Sequence, residues 1–526
     1  MVKLTGQTLT IEQLVAVSRN KEQVADLGDD VQARMRRSHE WVVNSIKHEG
    51  KIVYGVNTGF GSLANRQIST SEARKLSRNV ILLCVCGVGK PLPEDVVRGI
   101  MLIRANMLAK GHSGVRPRVA QTLIDMLNSG VTPVVPEKGS LGASGDLAPL
   151  AHIAVVMTRD LEEGDGGFSG DAIYQGEQIS GFEAMRRAGI NRLTLEAKEG
   201  LALTNGIDFM AASGALAVYD AENLLRHAQL GAALSLEALL GLSAAFDPAL
   251  HAVSNQPGQQ RVAANIRSLC KNSRLVDSLP EQVQDAYCLR CIPQVIGPII
   301  DTIEFVRQRF TAAMNAATDN PLVFPAAEST EMRAISGGNF HGQGPAMWLD
   351  FIGIAMAEVA NIAERRIFRM LTPELNHGLP AMLVPTSGLD SGLMMVQYTA
   401  AALVSDNKTL SHPDSVDSIP SCGNQEDHVS MGANAARHCL EILENVRNVL
   451  AIEFITAAQA VDLRADGTAR LGQGTAMVYK EIRKNVTFLE HDRPTSPDIE
   501  DLSKFIHEGY LPSIMPDFFT DQGQSQ

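Results

Sequence analysis

Residues 208–247 read DFMAASGALAVYDAENLLRHAQLGAALSLEALLGLSAAFD. Alanine and leucine recur at helical spacing, no proline interrupts them, and charges are sparse. Apolar residues that return every three or four positions turn one face of a helix toward a core. Four further segments, at 294–317, 345–370, 396–411 and 428–464, have the same character and are separated by turn signals. None holds an uninterrupted apolar run approaching the roughly 18 residues of a membrane span. Long helices packed side by side in a bundle are the simplest account, so the chain is expected to be mainly α.

Toward the N-terminus the pattern is more mixed. Residues 9–49 carry helical spacing, with Thr10 as a cap before IEQLVAVSR. KIVYGVNTGFGSL (51–63) is broken by three glycines, and its KIVYG start reads as a short strand. Helical periodicity returns over 71–110, interrupted at CGVGKPLP, and again over 118–128. The acidic, Gly-rich stretch 159–181 predicts an exposed loop with a small hairpin. The expected organisation is a mixed N-terminal domain over 1–204, a central long-helix bundle over 205–464, and a C-terminal helical segment and tail over 465–526.

The balance of 46 basic against 59 acidic residues gives a net charge of −13. That argues against a general nucleic-acid or acidic-membrane binder, which needs a basic face. Anionic substrates stay open, because one buried arginine can hold a carboxylate. Seven scattered cysteines point to free thiols in a reducing compartment, and the N-terminus lacks a signal-peptide pattern. A cytoplasmic location is the expectation.

Three local motifs are ambiguous alone. GSLGASGDLAPL (139–150) fits a tight glycine turn with Ser144 or Asp146 capping a helix, or chemistry made from the backbone itself. It lacks the second glycine of a serine-hydrolase elbow. YGVNTGFG (54–61) matches neither a dinucleotide fingerprint nor a P-loop. Cys288-Leu-Arg-Cys291 has no second ligand pair at zinc spacing, so no metal site is expected and two buried thiols are the better reading.

Taken together and in order, the motifs resemble the ammonia-lyase and aminomutase family that acts on histidine, phenylalanine and tyrosine. The matching stretches are YGVNTGFG, GSLGASGDLAPLAHIA (139–154), EGLALTNG (199–206), DAYCLRCIPQV (285–295), ATDNPL (317–322), GGNFHGQ (337–343), AERRI (363–367) and NQEDHVSMG (424–432). The resemblance runs in register over nearly the whole chain. It implies a long-helix bundle of the fumarase/aspartase-like type and a homotetramer with shared active sites. It also implies that Ala143-Ser144-Gly145 cyclises to 4-methylidene-imidazol-5-one (MIO), an electrophile that makes the substrate amine a better leaving group. Glycine leaves room for the close backbone approach, and serine supplies the hydroxyl whose loss creates the methylidene.

By the same resemblance Tyr287 is the base at the β carbon, Tyr54 the second catalytic tyrosine, and Arg290 the holder of the substrate carboxylate. Arg290 lies three residues beyond Tyr287, on the same face if that stretch is helical. Asn205 falls beside the ring, Phe340 at an aromatic lining position, and Gln284 at a polar one. Glu426 stands where the histidine-specific members carry Glu, and a carboxylate there can accept a bond from an imidazole N–H. The substrate-selecting pair falls at Leu83-Cys84, which lacks the histidine of either the histidine or the tyrosine branch. Ile207 and Asp208 also depart from the family pattern; Asp208 either favours a helix start or faces the pocket. The implied activity is elimination of ammonia from an aromatic or imidazole amino acid, with L-histidine to urocanate the leading substrate. A 2,3-aminomutase, a tyrosine or phenylalanine ammonia-lyase, and a non-catalytic scaffold are the alternatives.

Overall fold

The computed structural model describes residues 1–47, 52–63, 65–69, 72–143, 145–325 and 332–519, and the chain is 59% helical. The five long apolar segments form the helices Asp208–Ala238, Ile292–Met314, Gln343–Leu371, Met394–Leu410 and Gly432–Asp462. The first ends nine residues before its apolar pattern does. Leu240 takes a positive φ of 52°, and a short 3-10 turn, Ser243–Phe246, follows. Thr10 caps Ile11–Ser18 through a capping box with Gln13, as its spacing predicts. The 159–181 stretch contains the expected hairpin, Asp171–Tyr174 paired antiparallel with Glu177–Ser180.

The KIVYG expectation is corrected. Lys51 lies outside the described residues, and residues 54–56 form a turn instead of a strand. The Asn57 side chain accepts from the Val53 N–H at 2.8 Å, and the Val53 carbonyl accepts from Val56 at 3.1 Å. These local bonds occupy groups that a neighbouring strand would otherwise need. Cys288 and Cys291 are half-buried rather than buried, and all seven cysteines are free thiols.

The chain divides into two compact units. One comprises Met1–Leu216, Arg307–Asp350 and Pro413–Arg437; the other comprises Ala217–Val306, Phe351–His412 and His438–Gln526. In the first, the helix Glu94–Ala109 is buried from Val96 onward and packs on Ile11–Ser18 and Pro117–Ser129. Its Arg98 donates to the terminal carbonyls of both neighbours, Val17 at 2.9 Å and Leu127 at 3.2 Å. Those carbonyls have no partner within their own helices, so a buried guanidinium is accommodated without an acid.

In the second unit a buried ion pair ties three long helices. Arg366 Nε meets Glu453 Oε1 at 2.5 Å, Nη2 meets Oε2 at 3.0 Å, and the Ser235 hydroxyl donates to Oε1 at 2.8 Å. Both charged side chains are fully buried. Gln343–Leu371 is long and apolar enough by length and composition to cross a membrane, yet 56% of its most apolar window is buried inside the protein. Met356, Val359, Ala363 and Ile367 are wholly enclosed, the pattern of a core helix.

Removing one partner of such a pair leaves an uncompensated buried charge, which costs about 3–5 kcal/mol. Arg366→Ala is expected to lower unfolding stability by that amount in a denaturant titration. The double variant Arg366→Met/Glu453→Leu, with no charge left to strand, is expected to recover most of it.

Candidate active site

Residues 140–143 and 145–146 belong to a compact turn. Gly142 and Gly145 pair with each other across it, at φ of +71° and +79°. The Ser140 hydroxyl lies inside the turn. It accepts from the Gly142 N–H at 3.1 Å and lies 3.3 Å from the Gly145 carbonyl oxygen, to which it donates. Gly145 also rests on Gly206: a Cβ built on it would overlap the Gly206 carbonyl oxygen. That oxygen accepts from the Asp146 N–H at 2.6 Å. On another side of the turn, the Leu141 carbonyl accepts from Met431 N–H at 2.9 Å, and Gly142 lies against Ser430. Ala143 is half-buried and Gly145 buried, while Ser144 lies outside the described residues.

Asp146 precedes the helix Leu147–Met157 but its side chain does not cap it. It turns to the helix Asp208–Ala238, where Oδ2 accepts from the Met210 N–H at 3.1 Å, and Oδ1 lies 3.4 Å from the Ser140 hydroxyl. Complete burial pushes its carboxyl up to about 7, opposed by the backbone bonds and reinforced by the nearby Asp208. Asp208 opens the helix Asp208–Ala238 and is buried. Its Oδ2 accepts from Arg104 Nη2 at 2.5 Å. Arg104 Nη1 donates to the carbonyls of Ala202 at 3.0 Å and Asn205 at 2.9 Å. Burial likewise raises Asp208, to about 6, against the pull of Arg104. Asp208 is thus an internal partner of Arg104 and not a group facing substrate. A second buried pair, Lys198 and Asp319 at 2.5 Å, belongs to the same unit.

Asn205 is buried at the C-terminal end of Glu199–Thr204 and donates to the Asn320 carbonyl at 3.4 Å. Tyr54 is half-buried, and its hydroxyl accepts from the Gly61 N–H at 3.2 Å. Gly61 and Ser62 meet Cys422, one residue from Ser421, whose hydroxyl donates to Glu426 Oε2 at 2.7 Å. Cys84 is buried and near Glu426; burial first, then Cys86 and Glu426, push its thiol up to about 12. Leu83, its neighbour on the helix Ala73–Cys84, is 72% exposed. Phe340 is half-buried in the turn before Gln343–Leu371. All of these residues lie in the first unit.

Gln284, Tyr287 and Arg290 lie in the second unit. Tyr287–Arg290 is one helical turn, and the Arg290 guanidinium sits 4.6 Å from the centroid of the Tyr287 ring. The shared face expected from their spacing is therefore present. The backbone around Tyr287 is pinned. Buried Asp285 accepts from the Leu242 N–H at 2.7 Å, and the Cys288 carbonyl accepts from Arg366 at 3.4 Å. The Tyr287 ring itself is 71% exposed, not a core tyrosine, and Gln284 is exposed too. Among the described residues no cluster of three or more His, Cys, Asp or Glu could hold a metal.

Sequence reasoning missed Arg104, Lys198, Asp319 and Ser430. The signal for Arg104 was present: one cation within the apolar run GIMLIRANMLA (99–109). Such a charge is buried only when paired.

A carboxyl raised by burial binds its proton more tightly folded than unfolded. Its contribution to stability is therefore largest below the unfolded carboxylate range and is lost as pH rises through about 7. Asp146→Asn removes that loss, and Asn keeps an acceptor for Met210. The stability difference, variant minus parent, is expected to climb between about pH 4 and pH 7 and then level off. Thermal melts across that range check it; a difference independent of pH would contradict it.

Comparison with known proteins gives the family of the chain. Residues 9–484 match the family model described as aromatic amino acid lyase. The chain is 50% identical to a histidine ammonia-lyase of Alkaliphilus oremlandii over 97% of each chain, and 50% identical to one of Treponema denticola over 95% of each. Among solved structures, a histidine ammonia-lyase from Trypanosoma cruzi superposes with a TM-score of 0.89 at 36% identity, covering 99% of this chain and 96% of that one. A tyrosine aminomutase from Streptomyces globisporus gives 0.90 at 34% identity, covering 99% and 100%. The fold is the long-helix type expected, the enzyme class is that of the carbon–nitrogen lyases, and the chain belongs to the aromatic amino acid lyase family.

Proposed function

We propose that this chain is a histidine ammonia-lyase, converting L-histidine to urocanate and ammonia with a self-formed MIO group. The observation that carries the substrate is the 50% identity, along nearly the full chain, to relatives named histidine ammonia-lyase. Glu426 supports it, a carboxylate oriented by Ser421 that can accept from an imidazole N–H.

The turn at 140–146 fits a group made from the backbone. Its two positive-φ glycines fold it back on itself, and the room a Cβ would need at Gly145 is taken by Gly206. Formed from Ala143, Ser144 and Gly145, MIO supplies an electrophilic carbon that activates the substrate amine as a leaving group. The other roles belong to side chains. The Arg290 guanidinium binds the substrate carboxylate with paired N–H donors. The Tyr287 phenol oxygen takes the β proton, and Arg290 over its ring keeps proton acceptor and carboxylate anchor in fixed relation. Tyr54, its hydroxyl held at Gly61, moves a proton at the amine. Asn205 lies beside the group, and Gln284, Phe340, Leu83 and Cys84 line the substrate.

Apolar side chains left exposed on the second unit support assembly into a homotetramer. They include Met395 and Tyr398 on Met394–Leu410, and a groove lined by Ile299, Phe305, Phe351 and Ile354. A cytoplasmic site of action fits seven free thiols.

One observation favours a second reading, a 2,3-aminomutase: the tyrosine aminomutase superposes as well as the histidine enzyme. Incubation with histidine, phenylalanine and tyrosine separates the two. Urocanate and ammonia from histidine are expected; a β-amino acid as main product supports the mutase, and turnover confined to phenylalanine or tyrosine overturns the histidine assignment. Tyr54→Phe and Tyr287→Phe are each expected to lower kcat by about 10²–10⁴. Glu426→Gln is expected to cost about 10- to 100-fold in kcat/KM for histidine.

A further inference from the structure

Gly206 is enclosed on two sides. Its carbonyl oxygen faces Gly145 and takes the Asp146 N–H at 2.6 Å. A Cβ built on it would come within 2.5 Å of Arg104 Nη2 and 2.6 Å of Asp208 Oδ2, at a φ of +157° that favours glycine. The Arg104–Asp208 pair therefore lies directly against this residue. The same guanidinium also holds the carbonyls of Ala202 and Asn205, which bracket the end of the helix Glu199–Thr204.

The pair is not placed there for electrostatic economy. In its immediate surroundings Asp208 lies with two other buried carboxylates, Asp146 and Asp319, and the buried cations that face this group are Arg104 and Lys198. Its Oδ1 has no hydrogen-bond partner among the described residues. A third carboxylate with one oxygen unsatisfied is unfavourable, and a buried ion pair adds little net stability over an apolar replacement. What the pair does supply is geometry, a fixed wall behind the Asn205-Gly206 backbone.

We propose that Arg104 and Asp208 are positioning residues for ring closure: their ion pair fixes Gly206 as the platform against which Gly145 is turned back toward Ala143. The inference rests on the self-formed group of the preceding section. In the step concerned, the Gly145 amide nitrogen bonds to the Ala143 carbonyl carbon. That carbonyl oxygen leaves as water with the Gly145 and Ser144 amide protons. The Ser144 hydroxyl leaves as a second water with the Ser144 Cα proton. No oxidant or outside reactant is needed. Closure requires the nitrogen of Gly145 to be held within bonding approach of a carbonyl two residues back, and a shifted Gly206 releases it.

The test is the intact mass of purified full-length protein, read with circular dichroism and melting temperature. The parent is expected to be lighter than its sequence by two waters. Asp208→Ala is expected to fold yet show at least a fivefold smaller converted fraction. Asp208→Asn, isosteric and still an acceptor for Arg104, is expected to fall between the two, and it decides the matter if the alanine variant does not fold. Variants that melt lower but convert as fully as the parent would reduce the pair to a structural role and overturn the inference alone. A parent of unaltered mass would overturn the self-formed group itself, and the inference with it.

Discussion

The contact between Gly145 and the Gly206 carbonyl is the constraint on which the first unit's site depends. Two backbones meet there with no space for a Cβ, so each side must be held by something other than side-chain packing. The Asp146 N–H fastens one strand to the other, and the Ser140 hydroxyl closes the turn from inside. Loops of this kind are ordinarily among the less stable parts of a fold. Here the loop is braced by Gly206 and by Ser430–Met431, both within the same compact unit.

The same device, a buried charge used to fix backbone, recurs along the chain. Arg98 gathers the carbonyl ends of two helices, and Arg104 holds the stretch that leads into Gly206. In the second unit Arg366 pairs with Glu453 and also reaches the Cys288 carbonyl, next to Tyr287. Apolar helices rich in alanine and leucine interchange packing partners at small cost, and a buried pair with fixed geometry admits only one register. The helical turn that carries Tyr287 therefore keeps its backbone in place even though the side chain itself stands open to solvent.

The long helices were legible because apolar periodicity sustained over twenty or more residues has no competing reading; their ends fall within a few residues of the expected bounds except at Leu240, where a positive φ terminates the first. The Tyr287–Arg290 pairing was legible for the same reason, since i and i+3 share a helical face. KIVYG misled because β-branched residues suggest a strand, and Asn57 takes the N–H that a strand would have used. Asp208 was left between two roles by sequence, because its partner lies 104 residues earlier in the chain. Which buried acid meets which buried base is a tertiary fact; a charge inside an apolar run announces only that a partner exists.

The claim at the centre of this account is that the turn at 140–146 makes its own electrophile. Peptide mapping of the purified chain tests it most directly, by fragment masses across residues 139–150. The account predicts a peptide lighter by two waters, with the whole deficit confined to Ala143-Ser144-Gly145. A peptide of unaltered mass in folded protein would contradict it.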